Sequence, residues 1–214
     1  MKIFVLHCSK FVERKKHILE QFNKQGIVDY EFIEKYDKDE ISDNESDLFD
    51  TNYKSKPAMS LFLKHTYVHK IIAEKYECAL IFEDDVILSD NFINIFNKYI
   101  TELPEDYDLL FIGDGCNLHI EKHNLIPNKY IYEKGLYPTS WGGDGAAKCT
   151  DSMLVNKKCA IKLCEYINNL SYKINLPIDW WLSEAARDNN FKVYWAEPTI
   201  VTQGSQNGLF KSSI

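Results

Sequence analysis

Three consecutive carboxylates interrupt an apolar run in the stretch IFEDDVILSDNF, residues 81 to 92. They are Glu83, Asp84 and Asp85, and the apolar pattern resumes at Val86. Burying a charged side chain is costly unless it is paired or holds a metal ion. The stretch is therefore either a turn in water or a place where something positive binds.

Adjacent aspartates at a turn offer hard oxygen ligands to a divalent cation. Proteins bind Mg²⁺ and Mn²⁺ through one or two carboxylates and complete the coordination with substrate phosphates. The alternative is a solvated turn in which Asp84 or Asp85 caps the segment that follows. Spacing alone leaves both interpretations open.

The segments around the acidic run predict an α/β sheet with helices on its faces. Apolar and β-branched patterns indicate strands at 2–8, 30–36, 78–82, 107–113, 151–155 and 191–196. Helical spacing indicates helices at 13–26, 57–76 and 157–168. It also indicates two further helices, one capped by Asp90 and one that starts at about Asp179. The acidic run thus lies at the carboxyl end of a buried strand, where open α/β sheets place their ligand crevices.

The composition limits the class of protein. With 214 residues and 45% hydrophobic content, the chain predicts one domain over 1–214, with an exposed acidic loop at about 37–56. A net charge of −7 disfavours nucleic acid as a partner, because phosphate binding needs clustered Lys and Arg. No segment has the length of a membrane span or the pattern of a secretory signal, so we expect a cytoplasmic protein. The six cysteines contain no C-x-x-C pair, and we expect reduced thiols.

A series of sequence blocks resembles glycosyltransferase family 25, which includes bacterial lipooligosaccharide galactosyltransferases and collagen galactosyltransferases. The blocks follow the family's order: VERKKHILEQF (12–22), FLKH (62–65), ALIFEDDVILSDNF (79–92), LPEDYDLLFIG (103–113), DSMLVNKKCAIKL (151–163), LPIDWWL (176–182) and FKVYWAEPTIVTQ (191–203). The resemblance implies a GT-A-type, Rossmann-like nucleotide-sugar-binding fold, with a mixed sheet and helices on both faces.

The same resemblance implies a reaction. It is a metal-dependent, inverting transfer of a hexose, galactose or glucose, from a UDP-sugar to a hydroxyl of a glycan or of a hydroxylated protein side chain. Such an enzyme would act in glycan biosynthesis, including that of lipopolysaccharide. Within the resemblance, Glu83, Asp84 and Asp85 are the family's version of an Asp-x-Asp motif for Mn²⁺ or Mg²⁺. Asp85 is the expected direct ligand, and Asp84 is expected to ligate through water or to orient the ribose.

Further residues are expected at the donor nucleotide. Arg14 would meet a phosphate in a forked contact, and Gln203 lies on a Gly-rich segment that would fold over the diphosphate, with a frayed tail as the alternative. His7 and His65 occupy positions that neighbour the donor in the implied fold. The chain departs from the family there: the usual Asn-Leu-Asp-Arg reads His-Cys-Ser-Lys at 7–10, the usual Gly-Cys reads Ser-Leu at 60–61, and Lys64 replaces a Ser. These departures leave the identity of the donor open.

An inverting transfer needs a base that takes the proton from the acceptor hydroxyl. Asp179 is the first candidate, because it stands at a predicted helix start beside two tryptophans, with an ordinary N-cap as the alternative. Asp144 and Asp151 are the reserve candidates.

Aromatic rings are the expected acceptor platform, since their faces suit the C–H faces of a pyranose. Trp141 lies in the turn-rich stretch SWGGDG, and Trp180 and Trp181 follow Asp179. For the adjacent pair, the alternative is packing in the core.

Two other functions are compatible with the sequence. A catalytically silent carbohydrate-binding or scaffold protein would keep the fold; the departures at 7–10 and 60–61 favour it, and the intact Asp84, Asp85 and Asp179 oppose it. A metal-dependent phosphohydrolase would use the same carboxylates on water, but the sequence offers no evident second metal cluster.

Overall fold

Strands and helices alternate along the computed structural model, which describes residues 1–53, 55–137 and 145–212. The strands are Lys2–Leu6 (β1), Tyr30–Ile33 (β2), Cys78–Glu83 (β3), Val86–Leu88 (β4), Leu109–Phe111 (β5), Ile131–Glu133 (β6), Ser152–Asn156 (β7), Val193–Ala196 (β8) and Val201–Gln203 (β9). The helices are Val12–Gln25 (α1), Asp43–Ser46 (α2), Lys56–Lys75 (α3), Phe92–Glu102 (α4), Lys157–Asn168 (α5) and Ile178–Asp188 (α6). Each predicted strand and helix is present, with ends that differ by a few residues. The expected cap is wrong at α4, where Asn91 and not Asp90 is the N-cap residue and makes no side-chain cap.

The main sheet places several carboxyl ends along one edge. Within the described ranges it has seven strands in the order β2-β1-β3-β7-β5-β8-β6. β1 is parallel to both β2 and β3, and β5 is parallel to β8, whereas β7 and β6 run antiparallel to their neighbours. The carboxyl ends of β1, β3, β5 and β8 therefore share an edge. β4, which starts directly after the acidic run, pairs with β9 in a separate antiparallel ribbon.

Helices cover both faces of this sheet. Successive residues of a strand point to opposite faces. In β1, Phe4 and Leu6 belong to the core that contains buried residues of α3, α5 and α6, and Ile3 and Val5 belong to the core that contains those of α1 and α4. The predicted fold class, an α/β fold with a mixed sheet and helices on both faces, is confirmed.

Capping residues fix where α3 and α5 begin. The Ser55 hydroxyl accepts from the Ala58 amide at the start of α3, and Pro57 occupies the first turn, where its missing N–H has no cost. Asn156 caps α5, because its Oδ1 accepts from the Cys159 amide at 2.7 Å.

No helix in the described ranges combines the length and the apolar character needed to cross a bilayer.

The segment 37–56 is less exposed than predicted. It contains α2, which starts with a capping box between Ser42 and Glu45. Phe49 is only 2% exposed, forms a bridge with Ile174 and packs edge-on against Phe62. One buried aromatic side chain thus ties an otherwise polar segment to the core.

Candidate functional site

The acidic run lies in a cleft at the carboxyl edge of the sheet. Because β1 and β3 are parallel neighbours with Leu6 opposite Glu83, the residues that follow both strands lie side by side. A cavity of about 260 Å³ opens there, and we call it the strand-end cleft. Its walls include Cys8, Lys10, Arg14, Lys38, Asp85 and Gln203.

Asp84 is fully engaged by protein groups. Its Oδ1 accepts from Arg14 Nη1 at 2.7 Å, and its Oδ2 accepts from the Cys8 amide at 3.0 Å and lies 2.9 Å from His7 Nδ1. Burial opposes ionisation of Asp84, but the hydrogen bonds from His7, Arg14 and Cys8 outweigh it and hold the pKa below its usual range. Asp84 therefore ties the end of β1 and the start of α1 to the end of β3.

Arg14 makes a forked contact, but to protein oxygens. While Nη1 binds Asp84, Nη2 donates to the Lys211 carbonyl oxygen at 2.6 Å. The guanidinium also lies over the rings of Phe11 and Phe210, 4.6 and 5.5 Å from their centroids. Both terminal nitrogens thus bind protein oxygens, while Arg14 still lines the cleft, and its expected phosphate contact stays a prediction.

Asp85 presents one unpaired oxygen. Its Oδ2 accepts from the Ser205 amide at 3.2 Å, and its carbonyl oxygen accepts from the Gly204 amide at 2.7 Å. Its Oδ1 is buried and has no hydrogen-bond partner within the described residues. A buried carboxylate oxygen without a donor is costly, and a cation would satisfy it.

Two further carboxyls lie close to Asp85. Glu83 accepts from the Thr150 hydroxyl at 3.0 Å and from Gln203 Nε2 at 3.4 Å, and Asp151 accepts from the Ser152 hydroxyl at 2.8 Å. Burial and the neighbouring carboxylates raise the pKa of Glu83 well above its usual range. Burial is also the main cause that raises the pKa of Asp151 to about 7.

The carboxylates at this edge provide few protein ligands for a hard divalent cation. In the part of the chain that the structure describes, no group of three His, Cys, Asp or Glu side chains is arranged to hold a metal ion. Mg²⁺ and Mn²⁺ need only one or two carboxylates when substrate phosphates supply further ligands. The unpaired Oδ1 of Asp85 meets that requirement, whereas both oxygens of Asp84 are already engaged.

Lys64 explains one of the departures from the family pattern. Its buried Nζ donates to the carbonyl oxygens of residues 7, 33 and 35, at 2.8, 3.2 and 2.9 Å, and to Asp37 Oδ1 at 2.9 Å. Asp37 in turn accepts from the amide and the hydroxyl of Ser9. Lys64 therefore clamps the ends of β1 and β2 beside the strand-end cleft. Sequence spacing carries no signal for this role.

The two histidines expected at the donor are both fully buried. His7 supports Asp84 and lies beneath the cleft surface. His65 lies on α3 next to His69, with ring centroids 6.0 Å apart, and neither of its ring nitrogens has a hydrogen-bond partner among the described residues. His65 is not part of the cleft wall, and its expected contact to the donor is corrected.

Asp179 and Trp180 line a second cavity, of about 340 Å³. The wall also includes Leu118, Cys149 and Arg187. Asp179 lies in the first turn of α6, whose N-cap is Pro177, so the N-cap interpretation of Asp179 is wrong. Burial raises the pKa of Asp179.

The two adjacent tryptophans have different surroundings. Trp180 is 53% exposed, whereas Trp181 is 2% exposed and packs against Phe62 and Tyr166. Trp181 therefore belongs to the core, and its place in an acceptor platform is corrected. Trp141 and Asp144, the other expected members of this region, lie outside the described residues.

A chain of polar contacts joins the cleft to the second cavity. Gln203 Nε2 contacts Glu83 in the cleft, and Gln203 Oε1 accepts from Gln206 Nε2 at 2.6 Å. Gln206 Nε2 also lies 3.5 Å from Cys116 Sγ, which lines the second cavity. The Gly-rich segment after β9 is thus folded against the cleft.

A comparison with protein families finds one match that covers most of this chain. The model of "Glycosyltransferase family 25 (LPS biosynthesis protein)" matches residues 1–181. A search of the curated proteins finds no significant match.

Several solved structures have a similar shape at low sequence identity. A glycosyltransferase involved in the glycosylation of the major capsid of PBCV-1 is 10% identical, with 98% of both chains covered and a TM-score of 0.49. The galactosyltransferase LgtC, solved with donor and acceptor sugar analogs, is 12% identical, with 95% of this chain and 86% of that chain covered and a TM-score of 0.47. The catalytic domain of Drosophila β1,4-galactosyltransferase 7, solved with xylobiose, is 15% identical, with 99% and 73% covered and a TM-score of 0.42. The family match over most of the chain shows that this protein is a glycosyltransferase and belongs to glycosyltransferase family 25.

Proposed function

We propose that this glycosyltransferase is metal-dependent and inverting, and that it moves galactose or glucose from a UDP-sugar to a hydroxyl of a glycan or a hydroxylated protein side chain. The observation that carries the proposal is the buried, unpaired Oδ1 of Asp85 at the carboxyl edge of the sheet. Family membership supports the transfer of a sugar. The expected cytoplasmic location stays a prediction.

The strand-end cleft suits a nucleoside diphosphate because it offers cations beside the carboxylates. Lys10 and Lys38 line it, and neither forms an ion pair with another described residue. The ammonium of Lys10 lies over the Phe11 ring, 5.4 Å from its centroid. Free ammonium groups at a cleft attract phosphate oxygens as point charges. We assign these lysines to the diphosphate, beside Arg14, whose forked contact goes to protein oxygens.

Asp85 is the residue that would hold the cation. Bound there, Mn²⁺ or Mg²⁺ would act as a Lewis acid that stabilises the charge on the leaving nucleoside diphosphate. The Gly204 and Ser205 amides fix the orientation of Asp85, so its free oxygen needs no rearrangement. Asp84 contributes indirectly, by holding Arg14 and the end of β1.

The second cavity suits the acceptor. The exposed ring of Trp180 offers a face to a pyranose, and Asp179 lies beside it with a raised pKa, which makes its carboxylate a stronger base. We assign to Asp179 the removal of the proton from the acceptor hydroxyl, with Asp151 in reserve. The Arg187 guanidinium donates no hydrogen bond to the described residues and is free to contact the acceptor.

Calorimetry with UDP tests the proposal. The parent protein is expected to bind UDP more tightly with Mn²⁺ than without it, and Asp85→Asn is expected to abolish that difference while keeping nearly the same shape. Asp90→Asn is the matched control, because Asp90 is an exposed aspartate five residues away that pairs with Lys24 on the surface. Unchanged Mn²⁺-dependent binding in Asp85→Asn would overturn the metal assignment.

A further inference from the structure

Two cysteines that are distant in the sequence lie in contact. Cys116 and Cys149 are 33 residues apart, and their Sγ atoms are separated by 3.1 Å. Both are free thiols. A disulfide bond is about 2.05 Å long, so the two sulfur atoms need to approach by only about 1 Å to form one.

The backbone around both cysteines holds them face to face. Cys116 has a φ of 53° and Cys149 a φ of 44°, and non-glycine residues occupy this left-handed region only where their surroundings require it. A Cβ atom on Gly115 would lie 2.6 Å from the Lys148 carbonyl oxygen, so the two segments touch backbone to backbone at the preceding residues. The contact between the thiols is therefore built into the packing of the turn after β5 against the segment before β7.

The pair is accessible and lies at the second cavity. Cys116 is exposed and Cys149 is half-buried, and both line the cavity that also contains Asp179 and Trp180. Cys149 precedes β7 by only a few residues, in the same segment as the buried Asp151. A bond between the two sulfur atoms would join two walls of this cavity.

We propose that Cys116 and Cys149 are a thiol modification site that is oxidised to a disulfide by exchange with a low-molecular-weight disulfide such as oxidised glutathione. The exposed Cys116 thiolate attacks one sulfur of the oxidant, which leaves a mixed disulfide and releases one thiol. Cys149 then loses its proton to solvent and attacks Cys116 Sγ, which releases the second thiol. Two protein thiols are oxidised and one small disulfide is reduced to two thiols, so atoms and electrons balance.

Burial raises the pKa of the Cys149 thiol, which fits the order of these steps. The exposed Cys116 is the attacking group, and the half-buried Cys149 resolves the mixed disulfide. The second step is expected to become faster as the pH rises, because it needs the Cys149 thiolate.

Mass spectrometry of the full chain tests the site. After incubation with oxidised glutathione and alkylation of the remaining thiols, peptide mapping is expected to recover a Cys116–Cys149 linkage. Cys149→Ser is expected to stop at a glutathione adduct on Cys116, and Cys116→Ser is expected to form no linkage. Because an intramolecular thiol in contact competes with bulk thiols at high effective concentration, the linkage should exceed glutathione adducts at other cysteines by about tenfold.

Cys78→Ser and Cys164→Ser are the matched controls, since both residues are half-buried free thiols elsewhere in the fold. They are expected to form the Cys116–Cys149 linkage like the parent protein. The proposal is overturned if the parent forms no such linkage, or if Cys149→Ser leaves no glutathione adduct on Cys116. None of these measurements depends on sugar transfer, so they stand apart from the proposed function.

The effect on the reaction rests on the proposed function. If the second cavity holds the acceptor, oxidation is expected to raise the acceptor KM, on the order of tenfold, while the donor KM stays unchanged and a reductant reverses the effect. The Cys149→Ser variant cannot form the linkage. After the same oxidation, its acceptor KM should rise only as far as the glutathione adduct on Cys116 raises it. A protein that contains the linkage and keeps its acceptor KM would refute the coupling between the thiols and the cavity.

Discussion

Asp84 and Arg14 form a buried ion pair below the strand-end cleft. They are 5% and 6% exposed, and their side chains meet at 2.7 Å. Removing one partner of such a pair leaves the other charge buried and unpaired, which typically costs about 3–5 kcal/mol. We therefore expect Asp84 to act through Arg14 and the β1 end that it anchors.

Replacing Asp84 by Ala is expected to lower the free energy of unfolding by about 3–5 kcal/mol, because the buried Arg14 guanidinium loses its counter-charge. Urea denaturation measures this loss. Asp90→Ala is the control, since its pair with Lys24 is exposed and its loss should leave the free energy of unfolding nearly unchanged. If Asp84→Ala unfolds at the urea concentration of the control and loses only Mn²⁺ binding, Asp84 is a metal ligand after all.

Asp179→Asn is expected to lower kcat by roughly 10²–10⁴-fold and to leave the Kd for UDP unchanged, because a base acts on the acceptor hydroxyl and not on the donor. Steady-state kinetics with saturating donor, together with calorimetry, separate the two effects. Glu184→Gln, in the same helix and the same cavity wall, is the matched control and should keep most of the activity. A loss of kcat in Asp151→Asn with a near-normal Asp179→Asn would move the role of base to Asp151.

At the scale of elements, the segment after β9 determines how Asp85 is presented. The amides of Gly204 and Ser205 bind its carbonyl and carboxylate oxygens, and the Lys211 carbonyl is held by Arg14. The Phe210 amide closes this segment onto the Gly204 carbonyl at 3.0 Å. The last described residues are thus part of the cleft.

Gly204→Ala is expected to disturb this arrangement. The added Cβ would lie 2.9 Å from the Asp85 carbonyl oxygen and 2.7 Å from Phe210 Cδ2. The phenyl ring is able to turn away, but the backbone oxygen belongs to the residue that would hold the metal. We expect overpacking to cost about 1–3 kcal/mol of stability. We also expect Mn²⁺-dependent UDP affinity to fall about tenfold, which corresponds to about 1.4 kcal/mol.

Gly135→Ala is the matched control for this substitution, because a Cβ there meets no heavy atom of the described residues within 4 Å. Calorimetry and urea denaturation of both variants provide the comparison. Equal UDP affinity in the two variants would mean that the segment after β9 does not orient Asp85.

Elements with a continuous apolar pattern were predictable, and short ones were not. Cys78–Glu83 is a buried run that ends at charged residues, so both its type and its end follow from the sequence. Val201–Gln203 has three residues and pairs with β4, which lies far away in the sequence, and no local pattern indicates such a partner. The role of this segment in orienting Asp85 was therefore missed.

Side-chain directions set a second limit on what can be predicted from the sequence. Adjacent residues on a helix point about 100° apart, and only the fold shows that Trp181 faces the core while Trp180 is exposed. Lys64 is similar: a lysine in a helix usually predicts an exposed charge, yet three strand-end carbonyls and Asp37 surround its ammonium. The spacing of residues in the sequence predicts neither the burial of Trp181 nor that of Lys64.

At the scale of the whole molecule, buried ionisable groups with opposite effects link stability to pH. Burial lowers the pKa of His69 to about 4 and that of His65 well below its usual range, so the folded state favours their neutral forms. The folded-state pKa lies below the unfolded value of 6.5, so this stability is present above pH 6.5 and is lost as the pH falls towards 4. Asp151 and Glu83, with raised pKa values, act in the opposite direction over the same range.

His69→Gln is expected to remove its share of the acid sensitivity. Because burial lowers the pKa of His69 from 6.5 to about 4, the protein is expected to lose about 2 kcal/mol of stability through this residue between pH 7.5 and pH 5. Because Asp151 and Glu83 are present in both proteins, their contributions cancel when the change in unfolding free energy over this range is compared between the parent and the variant. Urea denaturation at the two pH values should give a fall in the free energy of unfolding that is about 2 kcal/mol smaller in His69→Gln than in the parent.

His123→Gln, which replaces an exposed histidine, should keep the parent's pH dependence. Parallel behaviour of the parent and His69→Gln would show that His69 is protonated in the folded state without penalty, and that its burial does not govern acid stability.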